Sequence, residues 1–150
     1  MDSNFSLILP FCGLILILFS FAYYFLNAEL LKGSLKTIRP RYKETFTTET
    51  PPVEAFRAIM QFALQNGYRV DDLDEQKLCV ILNERMTLTS YGSLYPIYVR
   101  ENAGKTEVEV GVTSKLGKAS IGPINNKLIT RRLERMLNGI KGAVFAFKKT

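Results

Sequence analysis

A long uncharged stretch near the start of the chain constrains this sequence more than any other feature. No charged residue occurs from Ser3 to Ala28, and an apolar core of 22 residues runs from Phe5 to Leu26. At 1.5 Å per residue, a helix of that length would measure about 33 Å, which is enough to cross a hydrocarbon core of about 30 Å. The pattern therefore predicts a transmembrane helix.

Two other interpretations of this stretch remain open. A cleaved signal peptide normally begins with a positive region and ends at a small-x-small site. This chain instead begins Met-Asp-Ser-Asn and has the large aromatics Tyr23 and Tyr24 near the end of the stretch. A buried core helix is the third interpretation, but core helices are seldom apolar over so many residues without interruption. The membrane span is favoured, with the tyrosine rings at the level of the lipid headgroups.

The charges that flank the stretch predict its orientation. Before it lies one acid, Asp2; after it come five cations with no acid among them, namely Lys32, Lys36, Arg39, Arg41 and Lys43. Positive charge marks the side that is not translocated. We therefore expect a single-pass membrane protein with a translocated N-terminus and a C-terminal domain on the cytoplasmic or stromal side. These juxtamembrane cations either bind anionic lipid or only set the topology.

The composition excludes several kinds of catalytic chemistry. The chain has no histidine, no tryptophan and two cysteines, Cys12 and Cys79. A Ser-His-Asp triad, a Cys-His dyad and a histidine-ligated metal or haem are thereby excluded. The acidic run from Asp71 to Glu75 lacks the glycine and the distal glutamate of an EF-hand loop. We expect a protein that is not an enzyme and has no cofactor or metal site.

The sequence divides into three parts. A transmembrane anchor at 1–28 is followed by a basic juxtamembrane linker at 29–49, and 50–150 has the mixed pattern of one α+β domain. The domain opens on a helix, because Thr50 as the N-cap and Pro51 as the first helical residue are typical of a helix start. This helix has one apolar face, composed of Phe56, Ile59, Met60, Ala63 and Leu64.

The remainder of the domain predicts strands and one long helix. Apolar alternation gives four strands, at 68–70, 77–90, 94–101 and 105–113. Helical spacing predicts a last helix over 123–147. We expect a four-stranded antiparallel meander covered by the two helices, of helix-grip or TATA-binding-protein-like type. Within the third strand, Pro96 predicts an edge position or a bulge.

The end of the last strand and the loop after it resemble a known sequence family. The residues that carry the resemblance are Val110-Gly111-Val112-Thr113-Ser114-Lys115-Leu116-Gly117, then Ile121, Gly122, Asn125 and Ile129. This run is similar to the tail of a bacterial family catalogued as domain of unknown function number 1499, and the resemblance covers about residues 50–138. The chain departs from the family pattern at Ser120, where the family has an acid. Because the family has no assigned reaction, the resemblance implies a fold rather than an activity.

One side of the last helix is basic. Lys127, Arg131 and Arg135 recur every four residues, and Arg132 lies beside them. Such residues are typical of a solvated polar face, and they are also a candidate contact for an acidic partner or for lipid phosphates. Nucleic acid is not an expected partner, because a short linker would hold the domain close to the bilayer.

These features together predict a binding protein. The leading hypothesis is a non-catalytic, single-pass membrane-anchored binding or scaffold module, which serves as an accessory subunit or assembly factor of a membrane protein complex. The alternative is a module that handles a lipid or another apolar ligand at the membrane surface, since residues 78–82 are apolar on both faces of their strand. Tyr91, Tyr95 and Tyr98 either line an apolar groove or pack as ordinary strand residues. The expected partners are membrane lipids and other membrane protein subunits.

Overall fold

The computed structural model describes residues 13–23, 34–36, 38–40, 42–85, 92–115 and 123–147. Within the last of these ranges, side chains are described from Lys127 onward. The chain divides into two compact units, Met1–Leu31 and Lys32–Thr150. The described part of the first unit is one helix, and the second unit carries a sheet with two helices.

The first unit contains helix α1, over residues 13–23. A helix of that extent is about 16 Å long, roughly half the thickness of a hydrocarbon core. In the part of the chain that the structure describes, no helix combines the length and the apolar character needed to cross a membrane. The predictions of a transmembrane helix and of a single-pass membrane localisation are wrong on this finding. The other residues of the predicted span, which runs from 5 to 26, lie outside the described residues.

The second unit is an α+β structure with a five-stranded antiparallel sheet. Its elements in chain order are β1 (Tyr42–Thr48), α2 (Pro52–Gln65), β2 (Arg69–Asp74), β3 (Cys79–Asn83), β4 (Ser93–Asn102), β5 (Lys105–Ser114) and α3 (Pro123–Phe147). The strand order across the sheet is β1-β5-β4-β3-β2, and every neighbouring pair is antiparallel. Strands β2 to β5 form a meander, and β1 lies beside β5 at the edge.

The prediction of four strands is wrong because it omits β1. This strand falls within the predicted linker, yet it pairs with β5 from Tyr42 opposite Val112 to Thr48 opposite Thr106. Its sequence, Tyr-Lys-Glu-Thr-Phe-Thr-Thr, buries Phe46 but otherwise has little apolar alternation. The hydrogen bonds to β5, rather than apolar periodicity, therefore define it as a strand.

Strand β3 is shorter than predicted, and Pro96 in β4 is not at an edge. Strand β3 ends at Asn83, and 86–90 lies outside the described residues. Strand β4 is central, between β3 and β5, and its pairing with β5 is interrupted between Leu94 and Ile97. Proline has no backbone N–H to donate, and Pro96 lies where the hydrogen bonding between β4 and β5 is interrupted.

Helix α2 begins one residue later than predicted. Its N-cap is Pro51, and no side chain caps the helix. Thr50, the predicted cap, is buried, and its hydroxyl accepts a hydrogen bond from Thr48 Oγ1 at 3.1 Å. Thr50 therefore joins the end of β1 to the helix start instead of capping the helix.

Helices α2 and α3 cover one face of the sheet, here called the inner face. Strand β5 contributes Val108, Val110 and Val112 to this face, all fully buried. Helix α3 packs against the sheet through side chains at helical spacing, namely Leu133, Met136, Leu137, Ile140 and Val144. The core therefore lies between the valine-rich strands and the apolar side of α3.

The opposite, outer face is covered by residues 34–36 and 38–40, here called the outer segment. A Cβ added to Gly111 would lie 2.5 Å from Pro40 Cβ, so the close approach of the segment depends on glycine. The Leu35 amide donates a hydrogen bond to Asp72 Oδ2 at 2.8 Å. On this face of β3, Ile81 is completely buried. Both faces of the sheet centre are thus covered by this chain.

Candidate functional site

The basic residues predicted on α3 do not share one environment. Lys127, Arg131 and Arg135 are exposed, as their four-residue spacing on a polar side implies. The Arg132 side chain is only 17% exposed. It turns toward the sheet, where its Nη1 donates a hydrogen bond to Ser93 Oγ at 3.0 Å. The predicted basic face therefore consists of three solvent-facing cations and one inward-facing cation.

The cations predicted to lie beside a membrane fall on two different elements. Lys36 and Arg39 are exposed on the outer segment. Lys43, on β1, forms an ion pair of 3.2 Å with Glu109 of β5. Two of the predicted residues, Lys32 and Arg41, lie outside the described residues. Lys43 therefore has a cross-strand partner within the sheet.

The tyrosines of β4 do not line a common groove. Tyr95 faces inward and is 2% exposed. Tyr98, three residues further on, is half-buried on the outer face, because successive strand side chains alternate. Tyr91 lies outside the described residues. Of the two interpretations, ordinary strand packing fits Tyr95 and Tyr98.

Arg132 belongs to a polar group located where β3 ends and β4 begins. We call this group the Glu84 cluster, and its members are Glu84, Ser93, Tyr95, Lys115 and Arg132. Glu84 Oε2 accepts a hydrogen bond from the Tyr95 hydroxyl at 3.3 Å and lies 3.8 Å from Arg132 Nη1. The carbonyl oxygen of Glu84 accepts a hydrogen bond from Lys115 Nζ at 2.9 Å. Glu84 thus connects the two cations of the cluster.

The backbone at Gly92 makes this arrangement possible. Gly92 has a φ of +72°, and an added Cβ would lie 2.6 Å from the Glu84 carbonyl oxygen and 3.1 Å from Lys115 Nζ. A side chain would therefore be strained and would displace the lysine. Immediately after the glycine, the carbonyl oxygen of Ser93 accepts a hydrogen bond from the Glu84 amide at 2.9 Å. Glycine at this position is the local reason that the lysine reaches Glu84.

Tyr95 of the cluster and Tyr68 beside it remain protonated well above neutral pH. Burial raises the pKa of Tyr95, and the negative charge of Glu84 raises it further. The Tyr68 ring meets the Tyr95 ring edge-on, with centroids 6.0 Å apart. Burial and the negative charge of Glu84 also raise the pKa of Tyr68, and the positive charge of Arg135 partly offsets this by lowering it. Both phenols therefore act as neutral groups next to the charges.

A second region is a groove along α2, which we call the α2 groove. It has a volume of about 460 Å³ and is lined by Val53, Phe56, Arg57, Met60, Gln61 and Leu64 of α2, with Glu75 and Leu78 from the turn after β2. Leu64 is 71% exposed and Val53 is 49% exposed. Leu64, which lies on the apolar face predicted for this helix, is therefore mostly in solvent. The groove offers apolar surface, whereas the Glu84 cluster offers charge.

Sequence signals for these two regions differ in strength. The lining residues of α2 recur at helical spacing and are visible in the sequence. In the cluster, Arg132 precedes Met136 and Ile140 by four and eight residues, so it lies at the border of the apolar side of α3. That spacing was the available signal that Arg132 turns inward. Glu84 and Lys115 carry no such signal, because they meet Arg132 only through the fold.

Comparisons with known proteins bear on the fold. No family model and no curated protein sequence matches the chain. Among solved structures, Ara h 8.0201 matches with a TM-score of 0.51 at 13% identity, over 70% of this chain and 97% of that one. The protein TTHA0849 from Thermus thermophilus matches with a TM-score of 0.44 at 13% identity, over 69% and 96% of the two chains.

The likeness to Ara h 8.0201 shows a Bet v1-like α+β fold. At so low an identity, the likeness shows the fold alone. The resemblance to the family of unknown function number 1499 stays a prediction, since no family model bears on it.

Proposed function

We propose that the protein is a non-catalytic binding module that docks an amphipathic helix of a partner protein in the α2 groove. The observation that carries this proposal is the exposure of Leu64, whose apolar side chain is 71% in solvent at one end of the groove. An exposed apolar surface rimmed by polar residues is typical of an interaction site.

The shape of the groove supports a helical occupant. The lining residues of α2 recur at spacings of three and four from Val53 to Leu64. The groove therefore follows one side of the helix for three turns, about 16 Å. An amphipathic helix lying along it would present apolar residues at the same spacing.

The charges at the rim support one class of partner helix. Arg57 lies on the α2 side of the groove, and Glu75 lies on the side formed by the turn after β2. A matching helix would carry an acid on the edge that faces α2 and a base on the other edge. Rim charges of this kind fix orientation and partner choice more than affinity.

Site-specific crosslinking in the cells that produce the protein tests the proposal. A photoreactive residue at Gln61, inside the groove, should capture one recurrent peptide with apolar residues at i, i+3 or i+4, and i+7. The matched control carries the photoreactive residue at Arg131, an exposed position on α3. Leu64→Asp should abolish capture at Gln61 without unfolding the chain, because Leu64 is mostly exposed. Capture that survives Leu64→Asp, or that is the same from Arg131, would contradict the proposal.

A small apolar ligand is the second candidate for the same groove. Its volume, about 460 Å³, lies within the range of roughly 300–1,000 Å³ that is typical of ligand pockets. Native mass spectrometry of the full-length protein separates the candidates. A bound mass that disappears in Leu64→Asp, in the absence of a crosslinked peptide, would favour the ligand over the partner helix.

A further inference from the structure

The two edge strands of the sheet differ in how they are protected. Strand β2 pairs with β3 through a register shift between Val70 and Asp72, and it carries three acids among its six residues. Strand β1 keeps an unbroken register with β5 over all seven of its residues and carries one cation and one acid. Bulges and charges are means by which proteins keep an edge strand from pairing with another chain. Strand β1 is therefore the edge that is open to pairing.

The composition and exposure of β1 suit a further strand. Five of its seven residues are tyrosine, phenylalanine or threonine, which are common in strands. In the described part of the chain, β5 is the one strand that pairs with it. Alternate backbone groups of a strand point to opposite sides, so about half of those in β1 point away from β5. Its exposed side chains are Lys43, Glu44, Thr45 and Thr47. This side of β1 is therefore a template for another antiparallel strand.

An exposed aromatic side chain adjoins this edge on the inner face. Phe145 of α3 is 50% exposed, and its ring centroid lies 6.4 Å from that of Phe46. Lys141, one turn earlier on α3, has its Nζ 5.5 Å from the centroid of the Phe46 ring. The exposed Glu44 lies opposite Val110 and thus on the same face as Phe46. Beside the backbone groups of β1, this edge therefore offers apolar surface, a cation and an anion.

We propose that β1 pairs antiparallel with β1 of a second copy of this chain, about a two-fold axis at Thr45. This register pairs all seven residues of the strand, and it places Phe46 directly opposite the partner's Glu44 on the inner face. Because Lys141 lies over Phe46, its ammonium group meets the partner's Glu44, and the symmetry repeats this contact. An axis at Glu44 would instead set two like charges opposite each other, which is unfavourable. Charge complementarity therefore favours a second copy in this register.

The pairing joins two five-stranded sheets into one sheet of ten strands. Phe145, which lies beside the edge, is then at the junction of the two copies, where its exposed ring adds apolar contact to the hydrogen bonds between the strands. The surface shares no residue with the α2 groove. This proposal therefore does not depend on the proposed function.

Disulfide crosslinking of the full-length protein tests the register. The background is Cys12→Ser, which leaves the buried Cys79 as the natural cysteine. Thr45→Cys should form a covalent dimer under mild oxidation, because directly opposite residues have Cα atoms about 4.5–5.5 Å apart. Thr47→Cys is the matched control, since the two copies of this exposed position would be about 14 Å apart. Association through another surface would not favour Thr45→Cys over Thr47→Cys. Equal crosslinking of the two variants, or none in Thr45→Cys, would overturn the proposal.

Charge reversal tests the contact between Lys141 and the partner's Glu44. Glu44→Lys and Lys141→Glu should each raise the dissociation constant of the dimer about tenfold, because each places two pairs of like charges in the symmetric dimer. Glu101→Lys makes the same change of charge at an exposed position of β4 and should leave the constant unchanged. Sedimentation equilibrium of the full-length variants measures all three constants. Equal effects of Glu44→Lys and Glu101→Lys would indicate general electrostatics and would overturn the proposal.

Mixing the two charge-reversal variants gives an effect of opposite sign. In a dimer with one copy of Glu44→Lys and one copy of Lys141→Glu, both contacts again join opposite charges. The mixture should therefore associate about tenfold more tightly than either variant alone. A gain in affinity does not arise from a damaged fold, so this measurement decides the question even if one variant is less stable. No gain on mixing, or a natural sequence that stays monomeric, would overturn the proposal. Crosslinking of Thr45→Cys to a different protein in place of a second copy would also overturn it.

Discussion

The two faces of the sheet are buried by different means. The inner face packs against α2 and α3, whose apolar side chains lie between the helices and the valines of β5. The outer face packs against a short stretch of chain without regular secondary structure, the outer segment. Strand β3 is nevertheless fully buried on both faces, since Val80 and Leu82 inside and Ile81 outside are each 0% exposed.

This difference shows what an apolar strand does and does not indicate. Residues 78–82 are apolar on both faces, a pattern that motivates the hypothesis of a module that handles a lipid or another apolar ligand. The structure places the outer segment on the outer face, so that part of the burial comes from the chain itself. The pattern correctly predicts burial on both sides of the strand, but it does not identify the covering element. It therefore gives no support to a ligand at this strand.

The largest expected effect compares one isoleucine on each face. Ile97 faces inward and Ile81 faces outward, and both are fully buried. We expect Ile97→Ala and Ile81→Ala each to lower the free energy of unfolding by about 2–5 kcal/mol, because each leaves a cavity. Urea denaturation of the full-length protein measures both. A cost below about 1 kcal/mol for Ile81→Ala alone would show that the outer segment does not pack in solution.

Local patterns predict much of this structure. Strand β5 follows from the alternation of Val108, Val110 and Val112, and the buried side of α3 follows from residues spaced three and four apart. These signals lie within one element, where backbone periodicity determines which side chains share a face. These signals therefore predict which side chains form the core on the inner face, without information about the rest of the fold.

Features that depend on distant residues are not predicted. Strand β1 has weak alternation and is defined by its hydrogen bonds to β5, more than sixty positions away in the sequence for most of its residues. The Glu84 cluster joins residues just after β3 and β5 to residues of β4 and α3, and its members are separated by up to 48 positions, from Glu84 to Arg132. The exposure of Leu64 is a further example, because spacing within α2 predicts the face on which it lies but not which elements cover that face.

A smaller effect compares two glycines, one on the outer face and one in α3. A Cβ at Gly111 would meet Pro40 at 2.5 Å and Pro96 at 3.1 Å, whereas one at Gly142 would meet nothing within 4 Å. We expect Gly111→Ala to lower the free energy of unfolding by about 1–3 kcal/mol. Gly142→Ala should raise it by up to about 1 kcal/mol, because alanine is the better helix former. Thermal unfolding of both variants measures the difference, and a neutral Gly111→Ala would contradict close packing of the outer segment.

The smallest expected effect compares the two tyrosines of β4 at alkaline pH. Burial and the charge of Glu84 raise the pKa of Tyr95 on the inner face. Burial also raises the pKa of Tyr98 on the outer face, but this residue is only half-buried. In an absorbance titration at about 295 nm, Tyr98 should therefore ionise before Tyr95. Because all seven tyrosines of the chain contribute to this absorbance, the two are compared by difference: Tyr98→Phe should reduce the absorbance change at the lower pH, and Tyr95→Phe should reduce only the change at the higher pH.

The same shift makes the stability of the inner face depend on pH. Because the pKa of Tyr95 is higher in the folded chain, its contribution is fully present below the unfolded value of about 10 and is lost as pH rises toward the folded value. Between about pH 10 and about pH 11 the loss should approach about 1 kcal/mol. Urea denaturation across this pH interval should show a smaller loss of unfolding free energy for Tyr95→Phe than for the natural sequence. Tyr98→Phe should still show most of the loss that the natural sequence shows. Equal losses of unfolding free energy in all three proteins would mean that Tyr95 contacts water in the folded state. The inner face would then exclude water no better than the outer face.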